Sequence, residues 1–195
     1  MVVIGLDPGP ETSGYVVWDH AAPRVLESGT GINNGVLARV TVPRLLSLQR
    51  EHDLVVLAVE RVACYGRPVG RSVLDTVFFS GQLVEFWRLA GGRDPLLVEF
   101  SQVSRYFCHS RHAKESAIRQ VLRDRFGAPG TRQKPGALYG VHGHAWSALA
   151  LAVAVAESLA HPEDVDGILR RQPGREDDKP TTKAPAPATT LARQS

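Results

Sequence analysis

Two unbroken apolar runs dominate the hydrophobic pattern. The first, Val2-Val3-Ile4-Gly5-Leu6, ends on Asp7 and is broken by Pro8-Gly9. A run of that length, closed by a turn pair, reads as a strand covered on both faces. The second, Asp53-Leu54-Val55-Val56-Leu57-Ala58-Val59-Glu60, repeats the design and also ends on a carboxylate. Between them, Tyr15–Trp18 and Arg24–Ser28 are strand-like and separated by Asp19–Pro23, short enough for a hairpin. The chain therefore opens as a three-stranded antiparallel meander. From Gly35 to Arg50, apolar residues at Val36, Leu37, Val40, Leu45, Leu46 and Leu48 follow helical spacing, interrupted at Pro43. A helix joining two fully apolar strands implies a right-handed parallel crossover within one covered sheet. As neighbours in that sheet, Asp7 and Glu60 would end adjacent strands, roughly 5 Å apart across the ladder. That carboxyl edge is where open α/β sheets bind ligands.

The rest of the chain alternates in the same way. Arg61 to Arg71 reads as a loop. Ser72–Ala90 reads as a helix whose apolar face includes Val73, Val77, Phe78, Val84 and Trp87, a core stripe rather than a base-stacking platform. Leu96–Phe100 is a fifth strand. Ala113–Phe126 is an amphipathic helix with Ala117, Ile118, Val121, Leu122 and Phe126 inward, and Lys114 falls on that inward face at its first turn. Gly127–Gly140 is a Gly/Pro loop carrying Arg132 and Lys134. A last helix runs from about His144 to Leu159, and its small residues Ala148, Ala150, Ala152 and Ala154 let it lie close against the sheet. The reading is an α/β domain over 1–169 followed by a disordered Pro/Thr/Ala-rich tail over 170–195.

Composition adds a compartment and qualifies the charge. A chain of 195 residues, 43% hydrophobic, is enough for one sizeable core. Its net charge of +3 resides in the tail, since residues 1–169 hold 17 basic and 17 acidic residues. Local clustering therefore carries the electrostatic argument. From Arg105 to Lys134 there are eight Lys/Arg against two acids, with His109 and His112 beside them. Two cysteines, Cys64 and Cys108, build neither a disulfide framework nor a zinc cluster, and read as buried free thiols in a reducing compartment. The most apolar stretch, Ala145–Ala156, is too short to span a bilayer, so the expectation is a soluble cytoplasmic protein with no membrane partner.

A lone Asp at a strand end is an ordinary turn former. Two carboxylates side by side are different, because they repel unless a cation sits between them. Such pairs suit Mg²⁺ or Mn²⁺, which prefer carboxylate oxygens and retain waters. The candidate that completes the site is His142-Gly143-His144-Ala145-Trp146-Ser147, where His144 and Ser147 are three apart on the first turn of a helix.

In order and spacing, strand–Asp7-Pro8-Gly9, meander, strand–Glu60 and a terminal His144-x-x-x-Ala148-Leu149-Ala150 helix resemble the RuvC-type Holliday junction resolvases of the RNase H-like superfamily. Within that group the chain is most similar to the short RuvC-like proteins of bacteriophages, through Glu60–Gly70, Ala113-Lys114-Glu115 with Ile118-Arg119, and Tyr139–Ala150. The resemblance spans residues 1 to about 160. It implies an RNase H-like fold, a mixed five-stranded sheet of antiparallel meander plus two parallel strands flanked by helices. It also implies two-metal hydrolysis of phosphodiesters in four-way junctions by a two-fold homodimer. Carried over, Asp7 would bridge two Mg²⁺ or Mn²⁺ ions, Glu60 and His144 would ligate, and Lys114 would lie near the scissile phosphate. The family's next ligand, usually Asp, is here Ser147, a poor ligand for a hard cation. Water or another carboxylate must then complete the second site. Arg61, Arg67 and Arg71 after Glu60, and Arg111, Lys114, Arg119, Arg132 and Lys134 beyond, are the candidate phosphate contacts.

Three rival readings share these features. Actin-like sugar kinases and chaperone ATPases also open on an apolar strand with Asp and Gly. They need two such domains, about twice this length, and a second phosphate-binding Asp-Gly hairpin that this sequence lacks. A non-catalytic binder of branched DNA would follow if losing the fourth acid abolished turnover. A related nuclease could act on flaps, forks or structured RNA, because recognition of shape leaves no short motif.

Overall fold

The computed structural model describes residues 1–39, 42–63 and 68–161, with backbone alone at positions 38, 39, 42, 43, 45 and 46. The expected tail over 170–195, Val40, Cys64 and Arg67 lie outside the described residues. Eleven elements follow in chain order: β1 (Val2–Asp7), β2 (Thr12–Asp19), β3 (Arg24–Ile32), α1 (Asn33–Arg39), α2 (Val42–Glu51), β4 (Val55–Arg61), α3 (Arg71–Leu89), β5 (Leu96–Glu99), α4 (Phe100–Cys108), α5 (Glu115–Phe126) and α6 (Ala145–Ala160).

The strands form one sheet in the order β3-β2-β1-β4-β5. β1, β2 and β3 pair antiparallel, whereas β4 and β5 add in parallel beside β1. This is the mixed, helix-flanked sheet of an RNase H-like fold. The hairpin between β2 and β3 is closed by Asp19, whose Oδ1 accepts from the Ala21 amide at 3.0 Å. Pro43 lies in the first turn of α2, where its missing N–H removes no helical bond.

Both faces of the sheet are covered, which is why β1 has no polar alternation. Val2, Ile4 and Leu6 face one core with Val17, Leu57 and Val59, beneath Val36, Phe79, Leu83 and Trp87. Val3, Val16, Ala58 and Val98 face the other, beneath α6, α4 and α5. α6 is buried from Ala145 to Ala156, because it lies on the sheet and α4 and α5 lie against it in turn. Its seat is cut at backbone level. A Cβ on Gly5 would stand 2.1 Å from the Ala148 carbonyl oxygen, and one on Gly14 would stand 2.4 Å from the carbonyl carbon of His144.

Four sequence-based expectations are corrected. In α3 the inward residues are Thr76, Phe79, Leu83 and Trp87, while Val77 and Phe78 face solvent. The helix expected from Ala113 starts at Glu115, so Lys114 is its extended N-cap residue and is exposed rather than inward, and Ala117 is exposed too. The strand expected to reach Phe100 stops at Glu99. There Glu99 and Gln102 exchange side chain–backbone bonds in a capping box that opens α4, a helix the apolar spacing did not announce. Cys108 is a free thiol but only half-buried.

Candidate active site

β1 and β4 pair in parallel with Leu6 opposite Val59, so the next step places Asp7 opposite Glu60. Both side chains leave the sheet at its carboxyl edge, as expected from the two apolar runs. Beyond Asp7 the chain is held by a small polar lock. The Gly9 amide donates to Ser13 Oγ at 3.1 Å, Ser13 Oγ donates to Asn33 Oδ1 at 2.7 Å, and Asn33 Nδ2 donates to the Gly9 carbonyl at 3.2 Å. Ser13 is fully buried, so this lock fixes the turn next to Asp7.

His144 comes from the opposite side, as the N-cap residue of α6. Its Nδ1 lies 3.5 Å from Asp7 Oδ2, with the imidazole 65% and the carboxylate 17% exposed. One turn into the helix, Ser147 is 7% exposed. Ser147 therefore does not share His144's open face. It lines a cleft between α5 and α6 whose other wall holds Glu115, Ile118 and Arg119.

Electrostatics draw these groups together. Burial is the main cause that pushes Glu60 up to about 8, and the charges of Asp7 and Glu115 push the same way. Asp7 is pushed up to about 6, again mainly by burial; His144 opposes the rise and Glu115 adds to it. Two strand-end carboxylates are thus held partly desolvated and mutually repelling, with an imidazole beside one and a third acid in range of both. Glu115 is a site acid that sequence reasoning passed over. It lies within the stretch Ala113-Lys114-Glu115, where the resemblance points to Lys114 as the functional residue. Its only sequence signal was adjacency to Lys114, since its proximity to Asp7 is purely tertiary.

The donor set suits a hard divalent cation: carboxylate oxygens, an imidazole nitrogen and uncompensated negative charge. Among the described residues, no three His, Cys, Asp or Glu side chains converge closely enough to form a ready-made cage. Asp7 and Glu60 are aligned by the sheet at the ends of adjacent strands. The remaining donors sit on the exposed starts of two helices.

The basic residues are less concentrated than their sequence window suggests. Arg61 is committed to Glu99 at 2.6 Å, and Arg71 makes a loose pair with Asp75 at 3.8 Å. Lys114 sits beside Glu115 at the site, and Arg111 is exposed in the preceding turn. Arg119 and Arg123 lie over the Trp146 ring at 5.2 and 5.4 Å, along the seam of α5 and α6. α5 then runs away from the acids: its last residue, Phe126, packs edge-on against Trp18, which pairs with Val3 at the opposite edge of the sheet. The loop carrying Arg132 and Lys134 continues to Ala137, whose carbonyl accepts from Val25 at 2.8 Å. Val25 lies five positions before Thr30, the position level with Asp7, which is roughly 16 Å at strand rise. The cations thus form a trail from the acids along α5 rather than a ring around them. No helix among the described residues is long and apolar enough to cross a membrane.

Comparison with known proteins places this geometry in a fold group. No family model matches the chain, and no curated protein matches it significantly in sequence. Among solved structures, the chain is similar to Thermus thermophilus RuvC, with a TM-score of 0.58 and 21% identity over 83% of this chain and 97% of that one. It is also similar to T. thermophilus RuvC in complex with a Holliday junction substrate, with a TM-score of 0.54 and 19% identity over 82% and 95% of the two chains. The protein has a RuvC-like fold over the 83% of the chain that this match covers.

Proposed function

We propose that this protein is a Mg²⁺- or Mn²⁺-dependent, structure-selective endonuclease that resolves branched DNA, four-way junctions foremost. The observation that carries the reading is the parallel register of β1 and β4, which runs to Leu6 opposite Val59 and so brings each strand to a carboxylate, Asp7 and Glu60, with His144 Nδ1 3.5 Å from Asp7. The RuvC-like fold, shared with a structure that holds a Holliday junction, supports it. The likeness to short phage RuvC-like proteins, drawn from three sequence stretches, supports action in the cytoplasm of a bacterial host.

When bound, divalent ions would supply an activated water and charge stabilisation at the phosphodiester. The chain's own residues set the conditions for that chemistry. Asp7 and Glu60 would offer two carboxylates from the ends of adjacent strands, and Asp7, which also faces His144 at 3.5 Å, suits the bridging role that the resemblance implies. His144 contributes a borderline nitrogen from the start of α6. Ser147 contributes at most a neutral hydroxyl from one turn deeper. Lys114, exposed at the N-cap of α5, can meet a phosphate at the rim of the site. Arg111 and Arg119 would continue along the duplex, and Arg132 with Lys134 would meet an arm farther out. A second copy docked through α3, whose Leu74, Phe78 and Leu89 face solvent, would present two such sites to one symmetric junction.

The decisive experiment is cleavage of a labelled four-way junction, a fork and linear duplex with Mn²⁺ or Mg²⁺, comparing wild type with Asp7→Asn. Paired symmetric nicks in the junction are expected. They should fall by about 10³-fold in the variant, the scale lost with a main stabiliser of developing charge. Ser147 and the unconverged donors favour one rival, a binder of branched DNA without turnover, and tight junction binding with no nick under either metal would establish it. Preferential cutting of the fork would shift the substrate, and neither binding nor cutting would remove the nucleic-acid assignment.

A further inference from the structure

α5 disposes its arginines in two ways. Arg125 is paired with Glu157 at 3.0 Å. Arg119 and Arg123 make no ion pair among the described residues, and both are drawn to one ring instead. Their guanidinium carbons lie 5.2 and 5.4 Å from the centroid of Trp146. Like charges four apart on a helix repel, and water was open to both side chains. The indole offsets that repulsion, because its face attracts each cation. Trp146 is itself only 6% exposed, so it is a core residue capped by two arginines rather than a free stacking surface. The pair is also short of acceptors. Arg119 Nε is buried with no hydrogen-bond partner, and Asp124, the acid next to Arg123, accepts from Gln120 at 2.8 Å. Glu115, one turn before Arg119, is not paired with it. The two cations also lie close to the proposed site. Trp146 is the second residue of α6 and follows His144 by two positions, about 3 Å along the helix axis.

We infer that Arg119 and Arg123, gathered on Trp146, form a clamp for one backbone phosphate of the DNA strand that enters the site. This rests on the branched-DNA reading above and deepens it. The ligand class follows from the donors. A guanidinium offers a planar fork of N–H groups that matches two phosphate oxygens, and two forks on one phosphate relieve their own repulsion. Stacking on Trp146 holds two long side chains in place before DNA arrives, so less freedom is lost on binding. A phosphate contact reads no base. The clamp therefore fixes where the strand lies relative to His144, not which sequence is cut.

The test is binding of a labelled four-way junction to the full chain in EDTA, followed by fluorescence anisotropy over a range of KCl concentrations. Wild type is compared with Arg119→Lys, Arg123→Lys, the double lysine variant and Arg123→Gln. Arg123 is exposed, so its variants should melt with the wild type. Lysine keeps the charge and loses the fork. Arg123→Lys should bind about tenfold more weakly, the scale of a charge-assisted hydrogen bond, with its salt slope unchanged. Arg123→Gln should bind no more tightly than Arg123→Lys and should also lower the slope by about one. The double lysine variant should be little weaker than either single one, because both arginines serve one phosphate. Wild-type affinity in Arg123→Lys would show that charge alone matters and would overturn the clamp. Losses that add fully in the double variant would overturn it too, since they mark two separate contacts. A wild type that does not bind the junction would instead remove the branched-DNA reading, and the clamp with it.

Discussion

Glu60 titrates near 8 because burial, then Asp7 and Glu115, disfavour its anion, and that proton is linked to folding. In the unfolded chain Glu60 ionises near 4.5 and Asp7 near 3.8, against about 8 and about 6 in the fold. The folded protein holds these protons longer. Their stabilising effect is therefore complete below pH 4, declines as pH rises, and is gone above pH 8. At pH 8.5, without divalent cation, the native state carries the anions it disfavours. Glu60→Gln removes one of them with little change of shape. It should leave stability unchanged at pH 4, where wild-type Glu60 is protonated in both states. At pH 8.5 it should raise stability by roughly 1–3 kcal/mol, a discounted reading of a shift of this size. Urea melts in EDTA at the two pH values measure this, and a variant no more stable than wild type at pH 8.5 would refute the linkage. Added Mn²⁺ should reverse the ranking, because only the wild type gains the binding free energy.

At the scale of elements, the site depends on how closely α6 lies on the sheet. His144 reaches Asp7 because Gly14 on β2 lets the start of α6 approach to backbone contact. Gly14→Ala forces a methyl into that contact and should lift the first turn of α6. The expected cost is about 1–3 kcal/mol in a urea melt, typical of overpacking, together with weaker Mn²⁺ binding. His144→Ala, at an exposed position, should weaken Mn²⁺ binding with no loss of stability. Equal melts for Gly14→Ala and wild type would mean the helix seat has slack. The small residues of α6 announced this close approach in sequence, but their partners Gly5 and Gly14 did not, since a glycine in a strand has several explanations. The paired acids were legible because an apolar run without alternation has one structural meaning, and its last residue then has one place to be. α4 was not legible: Val103 and Phe107 are its only buried apolar residues, and its start is marked by the side chains of Glu99 and Gln102 rather than by hydrophobic spacing. Lys114 was misplaced by a boundary two residues out, which on a helical wheel is enough to turn an exposed cap into an inward side chain. Glu115 could not be found along the chain, because its charge acts on Asp7 and Glu60 from a helix more than fifty positions later in sequence.

At the scale of the whole molecule, α3 carries an apolar surface that has no partner among the described residues. α3 buries Phe79, Leu83 and Trp87 on the sheet, while Leu74, Val77, Phe78, Phe86 and Leu89 face outward, Phe78 being 70% exposed. Exposed apolar groups gathered on one helix mark an interface rather than scattered surface residues. A two-fold partner is the occupant that the proposed substrate calls for, since a junction offers two symmetric strands and α3 is the crossover that follows the Glu60 strand. A self-complementary helix face meets its own copy under that symmetry. Phe78→Asp places a charge in such an interface and changes nothing in the core. It should weaken dimerisation by about 2 kcal/mol or more, the scale of an interface anchor. The variant should keep the wild-type melt in dilute solution while light scattering falls from dimer to monomer mass. With junction DNA the same variant should still nick but lose the pairing of its cuts, so that singly nicked junction accumulates. Phe79→Asp, one residue along and buried, should unfold the protein instead. A wild type that is monomeric both free and on the junction would show that α3 serves some other partner, and paired nicking by Phe78→Asp would place the dimer contact elsewhere.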